Sequence, residues 1–379
     1  MQKVMIFIDW FLPGFKAGGP VRSMANMVEH LNSDFEFYIV TRNTEYLETQ
    51  PYTNVTTDSW NDFAPNTKVF YASKEKISQK QWRKLIRAIR PDTVYINGIY
   101  SPFFSMMPLY AAKLERIKKI IVAPRGMLAE SAIGVKSFKK KLFLKLIRLT
   151  GLYKNVEWHV TNSKEGSEVY QVVNLKAQLF VAPNLSRKSC PDFHTVDKSA
   201  ESVKLCSFAR ISPEKNTMFA LQCLKKIPPT VKIQFDLYGE IYNAAYWQKC
   251  REIIDGFTNN ITVSYSGVVD PSKVSDSIAQ YHALFLPSRG ENFGHVILES
   301  FMAGRPVIIS NQTPWRNLAE QNAGWDLPLD ESEFTGTIEL LAQMQQSEYD
   351  KWCKGAFRLA AGIINDTKLL LMYKEMLSI

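Results

Sequence analysis

Residues 282–310 read HALFLPSRGENFGHVILESFMAGRPVIIS, and this stretch predicts the fold of the chain around it. Residues 283–286 are a short apolar run bounded by polar residues, which predicts a buried strand. A polar loop with glycines follows, and apolar residues then recur at helical spacing over residues 296–302. Gly304 can end this helix in a left-handed conformation, and residues 306–309 predict a second buried strand. The stretch therefore predicts a β-α-β unit, the building block of parallel sheets.

Two carboxylates, Glu291 and Glu299, lie in this unit with seven residues between them. If most of the intervening chain is helical, they are up to about 12 Å apart along the axis, at about 1.5 Å per residue. That distance is comparable to the one from the sugar to the ribose of a nucleotide sugar. The helix N-terminus offers N–H groups to a diphosphate, and Gly294 permits close approach of a ligand. On spacing alone, a surface helix with two solvated glutamates is the simpler interpretation.

The flanking residues favour the binding interpretation, because the stretch resembles the E-x7-E signature of family 4 glycosyltransferases, a retaining class within group 1. The matching residues are Glu291, Asn292, Phe293, Gly294 and Glu299. The resemblance implies the GT-B fold, an α/β architecture of two Rossmann-like, doubly wound parallel-sheet domains that face a cleft. It also implies that Glu291 holds the donor sugar, assisted by the backbone N–H groups of residues 292–294, and that Glu299 binds the ribose.

Two cations precede a predicted helix in the second half of the chain. Residues 203–209 predict a strand and residues 217–224 a helix, and Arg210 and Lys215 flank the turn between them. Cations at a helix N-terminus can bind a diphosphate, although ordinary surface charge accounts for this fragment by itself. The resembled family has Arg and Lys at these positions. The resemblance therefore implies that Arg210 and Lys215 stabilise the leaving diphosphate and act in catalysis together with Glu291.

Other candidate residues follow predicted strands in the first half. Gly18 and Gly19 fit a plain tight turn, and the resemblance implies that they meet the donor phosphate across the cleft. Loops at the carboxyl ends of parallel strands bind ligands, so three residues that follow strands are possible acceptor or cleft residues, and a fourth candidate lies on a strand. These are Tyr100, Ser101, Arg125 and His159. A lone histidine on a strand also fits a structural role, and the role of Arg125 stays open because many relatives have histidine there.

Length and composition indicate a two-domain chain. With 379 residues, 46% of them hydrophobic, the chain can bury two cores, and no apolar run approaches the ~20 residues of a membrane-spanning helix. We expect an acceptor-side domain over residues 1–184, completed by a C-terminal helix of about residues 362–379. The nucleotide-sugar-binding domain then covers residues 185–361. The five cysteines lack paired metal spacing and no D-x-D motif occurs, so we expect neither a metal nor another cofactor.

The positive charge is concentrated in the first half. Residues 1–190 carry 28 Lys and Arg against 15 Asp and Glu, while the whole chain has a net charge of +9. Residues 131–155 contain seven bases and no acid, and four of their apolar residues share one helical face: Phe138, Leu142, Leu146 and Leu149. This pattern is typical of a helix on anionic lipid, although a core-packed helix with a solvated basic face also fits. The bases assigned to a membrane surface are Lys136, Lys139, Lys140, Lys141, Lys145 and Arg148.

The resemblance implies a retaining, metal-independent transfer of a sugar from a nucleotide-sugar donor to an acceptor hydroxyl. Bacterial polysaccharide assembly on a lipid-linked acceptor is the expected setting, whether O-antigen, capsule or exopolysaccharide. The expected location is cytoplasmic, peripheral at the inner face of the membrane, and no motif predicts a nucleic-acid partner. Two alternatives stay open: a sugar-nucleotide epimerase or phosphorylase on the same fold, and an inactive membrane-associated scaffold. The intact candidate site argues against the scaffold.

Overall fold

The computed structural model describes residues 1–128, 150–172, 177–188 and 192–379. The chain divides into two compact units. The first comprises Met1–Lys188 and Asp366–Ile379, and the second comprises Ser189–Asn365. The sequence placed these junctions near residues 184 and 361, so the observed junctions lie about four residues further along the chain.

An eight-stranded sheet forms the centre of the first unit. Its strands are β1 (Gln2–Phe7), β2 (Phe35–Arg42), β3 (Trp60–Ala64), β4 (Thr67–Ala72), β5 (Thr93–Asn97), β6 (Lys119–Ala123), β7 (Glu157–Val160) and β8 (Gln178–Val181). They are ordered β3-β4-β2-β1-β5-β6-β7-β8. All neighbours are parallel except β3, which is antiparallel to β4 at the sheet edge. The central strand β5 is buried along its whole length, as expected for a parallel sheet covered on both faces.

The described helices of the first unit connect these strands. They are α1 (Gly19–Leu31), α2 (Gln79–Ile89), α3 (Met107–Leu114) and α4 (Ser163–Val172), with a 3-10 turn at Lys74–Lys76 and a π turn at Pro102–Met106. Ser78 caps α2 by accepting a hydrogen bond from the Gln81 N–H. The side chains form one apolar core on each face of the sheet, so the unit is doubly wound.

The second unit has a six-stranded, fully parallel sheet. Its strands are β9 (Ser202–Phe208), β10 (Lys232–Tyr238), β11 (Ile261–Tyr265), β12 (Ala283–Leu286), β13 (Val307–Ser310) and β14 (Gly324–Leu327), in the order β11-β10-β9-β12-β13-β14. Its helices are α5 (Thr217–Lys225), α6 (Ala244–Ile254), α7 (Val274–Ile278), α8 (His295–Met302), α9 (Glu331–Gln343) and α10 (Gln346–Ile364), with a 3-10 turn at Pro271–Lys273. Apolar cores again cover both faces. The predicted doubly wound α/β class is therefore confirmed.

The last helix, α11 (Thr367–Leu377), belongs to the first unit. Tyr373 and Met376 are buried in the core beside β1 and α1. The Tyr373 hydroxyl donates to the Pro183 carbonyl at 3.0 Å, and Lys374 pairs with Asp34 at 2.6 Å. The chain therefore returns to its first unit to complete a core that the opening residues begin.

The direction of winding reverses once in each sheet. In the first unit this occurs between β1 and β5, and in the second between β9 and β12. Loops that leave the carboxyl ends of such diverging strands form the ligand crevice of open α/β sheets. Within the described residues, no helix is both long and apolar enough to cross a membrane.

Candidate functional site

At the switch point of the second sheet, the loop after β9 is hydrogen-bonded to the loop after β12. The Arg289 N–H donates to the Glu214 carbonyl at 2.8 Å, and the Ser288 hydroxyl donates to the same carbonyl at 3.2 Å. The Arg289 side chain reaches the Asn216 amide oxygen at 3.3 Å. Asn216 has a left-handed backbone, with φ of 61°, and turns the chain into α5. These bonds join two loops that are more than 70 residues apart in sequence.

Lys215 and Glu291 meet where these loops join. The Lys215 Nζ donates to Glu291 Oε1, and the two side chains are 18% and 11% exposed. This exposure is low enough to reduce screening by water and high enough to leave the pair in reach of a ligand. An ammonium group has three donors and a carboxylate two oxygens, so each partner keeps hydrogen-bonding capacity beyond the pair. The structure therefore brings together one predicted catalytic cation and the first predicted carboxylate.

The N-terminus of α8 follows directly. Gly294 caps the helix with φ of 77°, a conformation that favours glycine. The indole N–H of Trp315 donates to the Phe293 carbonyl at 2.5 Å, and its ring packs 5.5 Å from that of Phe293 and 5.3 Å from that of Phe301. Trp315 thus fixes the start of α8.

Glu299 lies in the middle of α8 and is buried, with 4% exposure. Because α8 begins at His295, only part of the chain between Glu291 and Glu299 is helical. The helical rise over residues 295–299 is about 6 Å, at about 1.5 Å per residue, so the expected rise of up to about 12 Å does not apply. Asn292 and Gly294 belong instead to the loop and the cap.

Arg210 lies on the β10 side of the same loop. Its side chain is 44% exposed, with Nη2 3.9 Å from Glu214 Oε2 and the guanidinium 5.4 Å from the centre of the Tyr242 ring. Lys215 pairs with Glu291 on the β12 side. The two predicted phosphate ligands therefore have different partners in this structure, and Arg210 is the more exposed of the two.

In the first unit, Arg125 is the centre of a hydrogen-bond network. Its backbone is left-handed, with φ of 54°. Its guanidinium donates to Asn97 Oδ1 at 2.9 Å, to the Tyr95 hydroxyl at 2.7 Å and to Asn184 Oδ1. The Tyr95 hydroxyl in turn lies 2.6 Å from Nδ1 of His159. Arg125 thus holds the carboxyl ends of β5 and β6 to the chain after β8.

His159 is buried, with 1% exposure. Its Nε2 is 2.9 Å from the Ala182 carbonyl, which can only accept, so Nε2 carries the proton and Nδ1 accepts from Tyr95. Burial, reinforced by the Arg125 charge, lowers the pKa of His159 to about 3, so the ring is neutral at physiological pH. The structure places this candidate in the interior network, which matches the structural role that the sequence left open.

Ser101 lies at the switch point of the first sheet, where its hydroxyl donates to Asp9 Oδ1 at 2.9 Å. Arg42, at the end of β2, donates to the same oxygen at 3.0 Å. Tyr100, the neighbour of Ser101, is half-buried. Sequence reasoning missed Asp9 and Arg42, although the rule that selected Ser101 also applies to Asp9, which lies two residues after β1.

Gly18 caps α1 with φ of 79°, and a Cβ there would meet nothing within 4 Å. Backbone conformation, and not crowding, therefore favours glycine at this position. Gly19 is the first residue of α1. The bases assigned to a membrane surface lie outside the described residues. They are Lys136, Lys139, Lys140, Lys141, Lys145 and Arg148.

Comparison with known families and proteins gives a consistent picture. Residues 192–342 match the family described as Glycosyl transferases group 1. An uncharacterized 41.2 kDa protein in the cps region of Klebsiella pneumoniae is 24% identical over 243 residues. That match covers 60% of this chain and spans 62% of the length of the curated relative.

Solved structures are similar over nearly the whole chain. Sucrose-phosphate synthase from Thermosynechococcus elongatus has a TM-score of 0.76 at 14% identity, covering 99% of this chain and 98% of its own. HepE of Anabaena, solved with UDP and glucose, has a TM-score of 0.68 at 12% identity, with the same coverage. WaaG, a glycosyltransferase involved in lipopolysaccharide biosynthesis, has a TM-score of 0.66 at 11% identity and covers 98% of each chain.

Proposed function

We propose that this chain transfers a sugar from a nucleotide-sugar donor to an acceptor hydroxyl, with retention of configuration at the anomeric carbon. Residues 192–342 match the group 1 glycosyl transferases, and the chain has the two-domain GT-B fold, which supports this proposal. The observation that carries the proposal is the Lys215–Glu291 pair at the switch point of the second sheet. Glu291 lies in the loop just before the start of α8. Diverging parallel strands form a ligand crevice at this point, and a helix N-terminus favours phosphate.

Each group has a defined task in the proposed reaction. Lys215 donates to the oxygens of the leaving diphosphate, whose negative charge grows as the glycosidic bond breaks. Arg210 supplies a second, more mobile cation, and the backbone N–H groups at the start of α8 complete the phosphate site. Glu291 accepts hydrogen bonds from the sugar hydroxyls, and Glu299 binds the ribose. Since cations and a helix dipole neutralise the leaving group, the proposed reaction needs no divalent metal.

The relatives support a role in polysaccharide assembly. HepE was solved with UDP and glucose, WaaG is involved in lipopolysaccharide biosynthesis, and the Klebsiella relative lies in a cps region. We therefore propose a lipid-linked saccharide as the acceptor. The basic segment over residues 131–155 would hold the enzyme against anionic lipid at the inner face of the cytoplasmic membrane.

The proposal can be tested by titrating UDP and UDP-glucose in a calorimeter. The parent protein should bind both, and Lys215→Ala should weaken UDP binding by about ten-fold or more, because a hydrogen bond to a charged group contributes about 1.5–3 kcal/mol. Lys226→Ala is the matched control. It removes an exposed ion pair with Glu331, at 2.6 Å, from the same unit and should leave UDP binding unchanged.

Turnover with an acceptor should fall further than affinity in Lys215→Ala, since leaving-group charge is largest in the transition state. Transfer by the parent should continue in excess EDTA. A parent protein that binds neither nucleotide would contradict the proposed function. Equal UDP affinity in Lys215→Ala and Lys226→Ala would remove Lys215 from the phosphate site.

A further inference from the structure

Asp9 has an uneven set of hydrogen bonds. Ser101 Oγ donates to its Oδ1 at 2.9 Å, and Arg42 donates to the same oxygen from Nη2 at 3.0 Å and from Nε at 3.3 Å. In the described part of the chain, all the side-chain hydrogen bonds of Asp9 end on Oδ1, so Oδ2 keeps its capacity to accept. Burial raises the pKa of Asp9, and the Arg42 charge and the hydrogen bonds from Ser101 and Arg42 oppose this shift.

Aromatic rings surround the partner of Asp9. The Arg42 guanidinium carbon lies 4.9 Å from the ring centre of Phe104, 5.4 Å from Trp10 and 5.7 Å from Phe103. The Asp9 and Arg42 side chains remain 19% and 24% exposed, and Phe103 is 40% exposed. The pair is thus flanked by apolar surface and still opens to solvent. Because Arg42 uses Nε and Nη2 on Asp9, its Nη1 can donate elsewhere.

The position of this cluster is that of a ligand site. Asp9 follows β1 and Ser101 follows β5, the two strands between which the first sheet reverses its winding. Arg42 ends β2, so three strand ends converge on one carboxyl oxygen. A purely structural ion pair explains the bonds to Oδ1, because it ties these loops together. It does not use Oδ2 or Nη1, for which the described part of the chain provides no hydrogen-bond partner, and the nearby Phe103 ring is exposed.

The chemistry of the cluster identifies its ligand class. Oδ2 of Asp9 can accept a hydrogen bond from one sugar hydroxyl, and Nη1 of Arg42 can donate to another. Aromatic rings beside them suit the C–H face of a pyranose ring. The Asp9 charge offsets that of Arg42, so a phosphate is disfavoured. We propose that Asp9, Arg42 and Trp10 form a subsite for a neutral sugar ring, the terminal saccharide of the acceptor. This inference rests on the proposed function, because it supplies the acceptor of that reaction.

Saturation-transfer NMR on the full chain tests the subsite. The probes are the methyl glycosides of glucose, galactose, mannose, N-acetylglucosamine, fucose and rhamnose, with inorganic phosphate as a competitor. At least one glycoside should show a saturation-transfer signal. Asp9→Asn should raise the dissociation constant of that glycoside about ten-fold or more, because a charged hydrogen-bond acceptor is lost. Asp62→Asn is the matched control, since Asp62 is 88% exposed on β3 and pairs with Lys68 at the edge of the same sheet. It should bind the glycoside like the parent.

Arg42→Lys provides a second variant in case Asp9→Asn does not fold. It keeps the positive charge beside Asp9 and removes the planar fork, so glycoside binding should still weaken. Hydrogen–deuterium exchange with the bound glycoside should show protection in peptides covering residues 8–12 and 99–104. Circular dichroism of each variant, compared with the parent, separates unfolding from loss of binding.

The outcomes separate this inference from the proposed function. Glycoside binding that both variants weaken, with protection at residues 8–12, supports the subsite. Binding of UDP without binding of any glycoside overturns the subsite and leaves the proposed function intact. Glycoside protection elsewhere in the chain, or displacement of the glycoside by phosphate, also overturns it. A parent protein that binds a glycoside at residues 8–12 but no nucleotide contradicts the proposed function; the sugar site then stands, and its assignment to an acceptor falls.

Discussion

His159 and His282 each act as a neutral hydrogen-bond relay inside one unit. His282 accepts from the Lys204 N–H at Nδ1 and donates from Nε2 to the Asp197 carbonyl, each at 2.9 Å. Burial lowers the pKa of His282 to about 4 and that of His159 to about 3. Both rings therefore bind a proton less readily in the folded chain than in the unfolded chain, where the pKa is about 6.5.

This difference predicts acid sensitivity between about pH 6.5 and pH 4. In that window each histidine binds a proton in the unfolded chain but not in the folded chain. Each one can therefore lower the free energy of unfolding by up to about 1.4 kcal/mol for every unit that the pH falls. Above the window both states are neutral and the penalty is absent. Urea unfolding at pH 7, 6 and 5 should show a shallower loss in His159→Gln than in the parent. His194→Gln, at an exposed position, is the control, and equal slopes in all three proteins would contradict the prediction.

Sequence reasoning located polar residues at strand ends but could not rank them by exposure. Ser101 and Arg125 follow predicted strands and His159 lies on one, yet Arg125 is held by a network and His159 is interior. Pairing is a three-dimensional property, so the contact between Lys215 and Glu291 could not be read from residues that are 76 positions apart. The rule that residues after strand ends bind ligands also applies to Asp9. The sequence does not single Asp9 out, because its partners, Arg42 and Ser101, come from two other strands.

Among the elements, the strands with continuous apolar runs were predicted closely. The predicted bounds of β12 are those observed, and the strands predicted over residues 203–209 and 306–309 lie within one residue of β9 and β13. The edge strands β3 and β14 were missed, because their sequences, WNDFA and GWDL, mix polar and apolar residues. The C-terminal helix is predicted from about residue 362, whereas α10 continues to Ile364 and Asp366 caps α11 by accepting from the N–H groups of Lys368 and Leu369. A capping aspartate is a signal that the sequence contained.

Helix α10 provides a matched pair of glycines. A Cβ on Gly355 would lie 2.2 Å from the Asn322 carbonyl oxygen and 2.5 Å from that of Gln321, whereas a Cβ on Gly362 would meet nothing within 4 Å. Gly355→Ala should therefore destabilise the second unit by about 1–3 kcal/mol, since backbone atoms must shift. Gly362→Ala should stabilise it by up to about 1 kcal/mol, because alanine is the better helix former. Urea denaturation followed by circular dichroism measures both, and equal effects would show that α10 does not pack closely on residues 321–322.

At the scale of the whole molecule, α11 offers a similar comparison with one residue type. Met376 is fully buried in the core beside β1, while Met372 on the same helix is 41% exposed. Met376→Ala should cost about 2–5 kcal/mol of first-unit stability through the cavity it leaves, and Met372→Ala should change it by less than about 0.5 kcal/mol. Hydrogen exchange in β1 and β5 measures the first unit separately. Unchanged exchange in Met376→Ala would show that α11 is dispensable for that core.

The return of the chain at Asp366 has a consequence for its synthesis. A ribosome completes all of Ser189–Asn365 before it makes the residues that close the core of Met1–Lys188. The second unit can therefore finish folding on the nascent chain while the first still lacks Tyr373, Met376 and Leu377. Its opening strands emerge early with an apolar face that α1 covers in part, and this core stays incomplete until α11 is made.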